Sequence, residues 1–104
     1  MVQKYTLVFD QVIIKQLKKS AKDKRIKDIL THMLDKLEIA GPYIGKLLDS
    51  QLFIYELKNK HPPIRLYFKY VKEREEVYVF EFEMKTSEER QRETIKKLKQ
   101  RLKP

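Results

Sequence analysis

Glu56 and Lys58, two residues apart, are followed by Arg65 and later by Lys85, and these four carry the chemistry this chain can offer. If residues 52–58 form a strand, Glu56 and Lys58 share one face of it, because side chains alternate with period two. Metal-free attack of a ribose 2′-hydroxyl on its own phosphate needs a base, a cation for the charge growing on phosphate, and an acid for the leaving oxygen. Glu56 suits the base. Arg65 is always charged and grips phosphate oxygens bidentately. Lys58 and Lys85 add charge, and a lysine crowded by cations releases its proton more readily. Tyr67 can stack on a base or donate a proton, and Lys69 and His61 are candidate RNA contacts nearby. A plainer reading fits the same residues: cross-strand ion pairs on a solvated sheet face.

Other chemistries are excluded by what is missing. The chain has no cysteine and only two histidines, so thiolate metal sites, disulfides and His-based metal sites have no ligand set. His32 is expected on a helix surface and His61 in a loop. The two glycines flank Pro42-Tyr43-Ile44 and form no phosphate-cradling loop, and Ser20 and Ser87 serve best as helix starts. No metal and no small-molecule cofactor is expected.

With 104 residues the chain is expected to be one domain over 1–104. At 41% apolar and 38% charged it is too apolar for disorder. Its 24 Lys+Arg against 15 Asp+Glu leave +9, which points to a polyanion, foremost nucleic acid, with an acidic protein as the rival partner. A hot-living source explains many charges but not their imbalance. The excess is spread over the folded unit, apart from the last helix, where Lys96, Lys97, Lys99, Arg101 and Lys103 occur without an acid among them. No apolar run approaches the roughly 20 residues of a membrane helix, and Met1–Tyr5 passes directly into a strand, so a soluble cytoplasmic protein is expected.

These residues need a scaffold. Tyr5–Phe9 reads as a strand and Asp10 as the cap of a short helix bearing Val12, Ile13, Ile14 and Leu17. Ser20, with Asp23 three positions on, predicts a second helix start. Ile26, Ile29, Leu30, Met33, Leu34 and Leu37 then mark one face of an amphipathic helix that ends at Gly41-Pro42. Residues 42–51 read as a connector in which Leu47-Leu48 touch the core. Strands are predicted over 52–58, 64–71 and 76–84; their short links imply an antiparallel meander. Thr86 and Glu89 form a capping box for a last helix with Ile95, Leu98 and Leu102 as its apolar positions. Alternation puts Phe53, Tyr55, Leu57, Ile64, Leu66, Phe68, Tyr70, Tyr78, Phe80, Phe82 and Met84 under the helical hairpin. It puts Glu56, Lys58, Arg65, Tyr67, Lys69, Glu81 and Glu83 on the opposite, polar face.

The segments Leu52–Lys58, Ile64–Phe68, Val79–Phe82 and Met84-Lys85-Thr86 together resemble the RelE/ParE toxin superfamily. They are most similar to its HigB-like, phage-type branch, which has a Tyr-Glu-Leu-Lys strand, an Arg-aliphatic-x-Tyr/Phe strand and a basic turn into the last helix. The resemblance spans essentially the whole chain. It implies an α+β fold with an N-terminal strand, a helical hairpin packed on an antiparallel meander, and a C-terminal helix. It also implies a toxin that cuts mRNA on the ribosome without metal and is held by an acidic antitoxin. Glu56 and Lys58 fall at the family's acidic and basic strand positions, Arg65 at its phosphate-binding arginine and Lys85 at the basic turn. Met84 stands where the branch has a second lysine, and no Tyr or His follows Tyr78. Two alternatives remain open on the same scaffold: a non-catalytic nucleic-acid- or protein-binding member, and a ParE-like inhibitor of gyrase.

Overall fold

A computed structural model of the chain describes residues 4–84 and 88–102. One five-stranded sheet is built from β1 (Thr6–Phe9), β2 (Lys46–Asp49), β3 (Ile54–Asn59), β4 (Ile64–Val71) and β5 (Glu76–Met84), in the order β1-β5-β4-β3-β2. Strands β2 to β5 run antiparallel to their neighbours, while β1 lies parallel to β5. The hairpin consists of α1 (Gln11–Ser20) and α2 (Lys24–Ala40), and α3 (Glu88–Leu102) follows the sheet. The α+β architecture is the expected one. The predicted meander is its centre, extended by β1 on one side and β2 on the other. Among the described residues no helix is long and apolar enough to cross a membrane.

Local chemistry explains most boundaries. The Asp10 carboxylate accepts from the Val12 N–H and starts α1. The second cap is Asp23, which accepts from Arg25 N–H and Ile26 N–H; Ser20 instead closes α1 by donating back to the Gln16 carbonyl. Gly41 ends α2 at φ 80°, and a side chain there would strike the Tyr5 ring. The capping box at Thr86 lies outside the described residues.

The expected connector contains β2. Its four residues carry no alternation, and it forms because β3 offers an edge: Lys46 sits opposite Glu56 and Leu47 opposite Tyr55. Gly45 permits the approach, since a Cβ there would meet the Glu56 carbonyl and the Phe68 ring. Asp49 accepts from the Gln51 and Leu52 N–H groups and turns the chain, so β3 begins at Ile54 and not at Leu52. Phe53 takes up a left-handed backbone in that turn and is half exposed, not core.

Both faces of the sheet are covered. Under the hairpin, Ile13, Leu30, Met33 and Leu37 pack on Tyr55, Ile64, Leu66, Phe68, Tyr70, Val77 and Val79. Beneath α3, Leu98, with Ile95 and Leu102, packs on Ile54, Tyr67 and Phe80. A β-bulge divides β5 between the two layers: Tyr67 stands opposite Glu81 but Phe68 opposite Val79, which makes Phe80 the extra residue. Tyr78 and Phe80 therefore join the α3 layer, contrary to strict alternation, while Phe82 packs on the hairpin side and Met84 is exposed.

Charge ties α3 down at its C-terminal end. Lys99 reaches Asp49 at 3.0 Å, and Arg101 reaches Asp10 at 2.9 Å and Glu81 at 3.4 Å. Two cations of the basic last helix are thus spent internally. Burial opposes ionisation of Asp10, but the Val12 N–H, the Tyr78 hydroxyl and Arg101 outweigh it and hold the carboxyl below its ordinary 3.8. The Leu52 N–H and Lys99 hold Asp49 down likewise. A depressed carboxylate stabilises the fold above its unfolded value and loses that contribution as pH falls through the folded one. Glu81, raised by burial, acts in the opposite sense. Arg101→Ala is expected to cost about 1 kcal/mol or less at pH 7, because the pair is partly solvated. It is also expected to narrow the gap between thermal midpoints at pH 7 and pH 3. A gap as wide as that of the wild type would show that the Arg101 pairs contribute nothing.

Candidate active site

The sequence-selected residues occupy one sheet face, but that face is not open. Pairing aligns Lys58 with Arg65 and Glu83, and Glu56 with Tyr67 and Glu81, across β3, β4 and β5. Glu56 is only 2% exposed. Its Oε2 accepts from Arg65 Nη1 at 3.2 Å and from Gln91 Nε2, on α3, at 2.7 Å. A buried carboxylate that accepts from a guanidinium and an amide orients the arginine. The expectation of a solvated face with exposed ion pairs is thereby corrected: α3 covers it.

Tyr67 is on the predicted face yet fully buried, so it offers no ring for an RNA base to stack on. Its hydroxyl and Glu83 Oε1 are both buried without a well-formed hydrogen bond. Burial first, and the nearby Glu83 carboxylate second, hold that hydroxyl well above its ordinary range. Such a phenol does not release a proton near neutrality.

The remaining candidates divide. Lys58, His61 and Arg65 line one cleft of about 350 Å³ together with Lys60 and Pro63. Lys69 lies instead in a separate hollow with Asp10, Tyr78 and Arg101. A larger cleft of about 480 Å³ between β5 and α3 is lined by Glu81, Glu83, Arg90 and Lys97. His32 is exposed on α2. Lys85 lies outside the described residues. Among the described residues no group of three or more His, Cys, Asp or Glu side chains could hold a metal ion.

Sequence reasoning missed Gln91. A signal was present: Gln91 shares the α3 stripe of Ile95, Leu98 and Leu102 at four- and three-residue spacing. A polar residue on an otherwise apolar helix face demands a buried partner, and Glu56 is that partner.

A mixed sheet is covered by a helical hairpin on one face and a C-terminal helix on the other, and this is the fold of solved RelE structures. No protein-family model and no curated protein sequence matches the chain. Solved structures do match it. A double arginine-to-alanine mutant of the E. coli toxin RelE in the free state superposes with a TM-score of 0.68 at 21% identity, over 90% of this chain and 97% of that one. The RelBE2 toxin–antitoxin complex of Mycobacterium tuberculosis gives 0.65 at 19% identity, over 79% and 99%. The intact E. coli RelBE toxin–antitoxin complex gives 0.53 at 22% identity, over 80% and 99%. At these identities the likeness is one of fold.

Proposed function

We propose that the chain is the toxin of a toxin–antitoxin pair, an endoribonuclease that cleaves mRNA at the ribosome without a metal. The observation that carries this reading is the cleft where Lys58, His61 and Arg65 converge, with Arg65 held from behind by buried Glu56. Such a cleft suits a phosphodiester: it is cationic, and its guanidinium is oriented before substrate arrives. Arg65 stabilises the charge that builds on the phosphate oxygens, and Lys58 adds a second cation. Glu56 accepts the 2′-hydroxyl proton once the Gln91 side chain gives up its bond, and Lys85 contacts the phosphate or protonates the leaving oxygen. RNA held at Lys58, Lys69 and His61 completes the reading. The motifs of β3 and β4 favour the HigB-like branch. An acidic antitoxin is the expected protein partner, in keeping with the RelBE complexes whose toxins share the fold.

A second reading, a binding protein without turnover, is favoured by the near-complete burial of Glu56. Induced expression in a bacterial host separates the two. The nuclease reading expects growth arrest with transcripts cut inside reading frames on translating ribosomes. Arrest without cleavage, or no arrest at all, leaves the binding protein.

A further inference from the structure

The cleft that holds Lys58 and Arg65 ends in a loop that carries a group of another kind. The β3–β4 connection, residues 60–63, puts His61 on the cleft wall beside Lys58, Lys60 and Arg65. The chain's other histidine, His32, is exposed on α2. The loop is pinned around His61. The Asn59 side-chain amide donates to the Pro62 carbonyl at 2.9 Å, which closes the turn across Lys60 and His61. Pro62 and Pro63 each lock one backbone torsion on its far side. His61 itself is exposed to solvent.

Position along the β3–β4 pair puts the groups in order. Glu56 pairs with Tyr67, then Lys58 with Arg65, then Asn59 with Ile64, and His61 follows beyond the last pair. At roughly 3.3 Å of rise per residue, Glu56 lies about 6.6 Å to one side of the Lys58–Arg65 row. His61 lies to the other side. In-line displacement at phosphorus has its attacking oxygen on one side and its leaving oxygen on the other. A phosphate gripped at the Lys58–Arg65 row thus has a carboxylate toward one of these oxygens and an imidazole toward the other. A general acid works best when its ordinary titration lies near the working pH. Lysine and arginine side chains hold their protons there, whereas imidazole exchanges one between about pH 5 and 8. Asn59, Pro63 and Ile64 on the same wall have no acidic proton, and the buried Tyr67 hydroxyl does not line the cleft.

We propose that His61 is the general acid of the cleavage, giving its proton to the 5′ oxygen that leaves. This deepens the nuclease reading and rests on it. Glu56 takes the 2′-hydroxyl proton as the 2′ oxygen bonds to phosphorus. The bond from phosphorus to the 5′ oxygen breaks, its electron pair stays on that oxygen, and the imidazolium proton joins it. The products are a 2′,3′-cyclic phosphate and a 5′-hydroxyl, with Glu56 protonated and His61 neutral. Proton exchange with solvent, to which His61 is open, resets the pair. His61 is therefore more than an RNA contact, and Lys85 is left to bind phosphate.

The test is single-turnover cleavage on programmed ribosomes of two mRNAs, one with the natural linkage and one with sulfur in place of the 5′ oxygen at the position wild type cuts. Sulfur departs as a stable thiolate and needs no proton. His61→Ala should slow the oxygen linkage by about 10²–10⁴-fold and leave the sulfur linkage within about a factor of ten of wild type. His61→Gln keeps the bulk and a donor N–H but transfers no proton, so it should behave as His61→Ala does. Both variants should melt with wild type, because the side chain is exposed. Arg65→Ala should slow both linkages, since it answers charge on phosphate whichever atom leaves. His61 variants that slow both linkages equally make His61 an RNA contact alone and overturn the proposal while the nuclease reading stands. So do variants that cut the oxygen linkage at the wild-type rate. A wild type that cuts neither mRNA overturns the nuclease reading itself, and this proposal with it.

Discussion

Arg65→Ala is expected to slow single-turnover mRNA cleavage on programmed ribosomes by about two to three orders of magnitude, the usual loss when one preorganised donor to a developing charge is removed. Arg65→Lys should recover only part, because an ammonium cannot reproduce the guanidinium fork. The geometry adds a second consequence. Arg65 neutralises Glu56, which is 2% exposed, so truncating the arginine strands a buried carboxylate that keeps the Gln91 amide as a donor. A fully buried pair broken this way costs several kcal/mol; with Arg65 itself 23% exposed, about 1–3 kcal/mol is expected. Adding Glu56→Gln to Arg65→Ala should restore much of that stability without restoring cleavage. Stability and rate recovering together in the double variant would mean the arginine acts only by holding the fold. Cleavage by Arg65→Ala at the wild-type rate would remove Arg65 from the chemistry, and a wild type that cuts nothing would leave the binding-protein reading.

How far the sequence could be read depended on whether a feature was local. Capping by Asp10, the apolar stripe of α2 and the helix stop at Gly41 are short-range effects, and they stand where the pattern puts them. Glu56, Lys58, Arg65 and Tyr67 share a face because period two held through β3 and β4. Two tertiary facts were not legible. The bulge at Phe80 inserts one residue into β5, and no spacing in Tyr78–Met84 announces it, because Val79, Phe80 and Phe82 suit either side of a sheet. The docking of α3 turned the supposed solvated face into a second interior. Its apolar stripe was visible, but the face that receives it reads as polar: Glu56 and Tyr67 are buried there between apolar Ile54 and Phe80. A stripe of Ile95, Leu98 and Leu102 needed a surface to cover, and the hairpin had already taken the other one.

That second interior yields the other large effect. Phe80→Ala should destabilise the chain by about 3–5 kcal/mol, as removal of a fully buried aromatic ring does. Phe80 is 1% exposed; its ring is 5.1 Å from that of Tyr78 and lies under the Arg101 guanidinium at 5.8 Å. Domains of this size are stable by about 5–15 kcal/mol, so the loss is a large share of the whole and a denaturant titration will resolve it. Position decides where the damage goes. If Phe80 belonged to the hairpin layer, the cavity would loosen α1 and α2; since it belongs with Leu98, α3 should loosen first. Amide exchange along Glu88–Leu102 should therefore quicken more than exchange along Lys24–Ala40. A Leu98→Ala variant should reproduce the pattern, and combining it with Phe80→Ala should cost less than the two losses added, because the side chains share one cluster. Equal acceleration in α2 and α3 would mean that the two layers unfold as one unit, with no separable docking of α3.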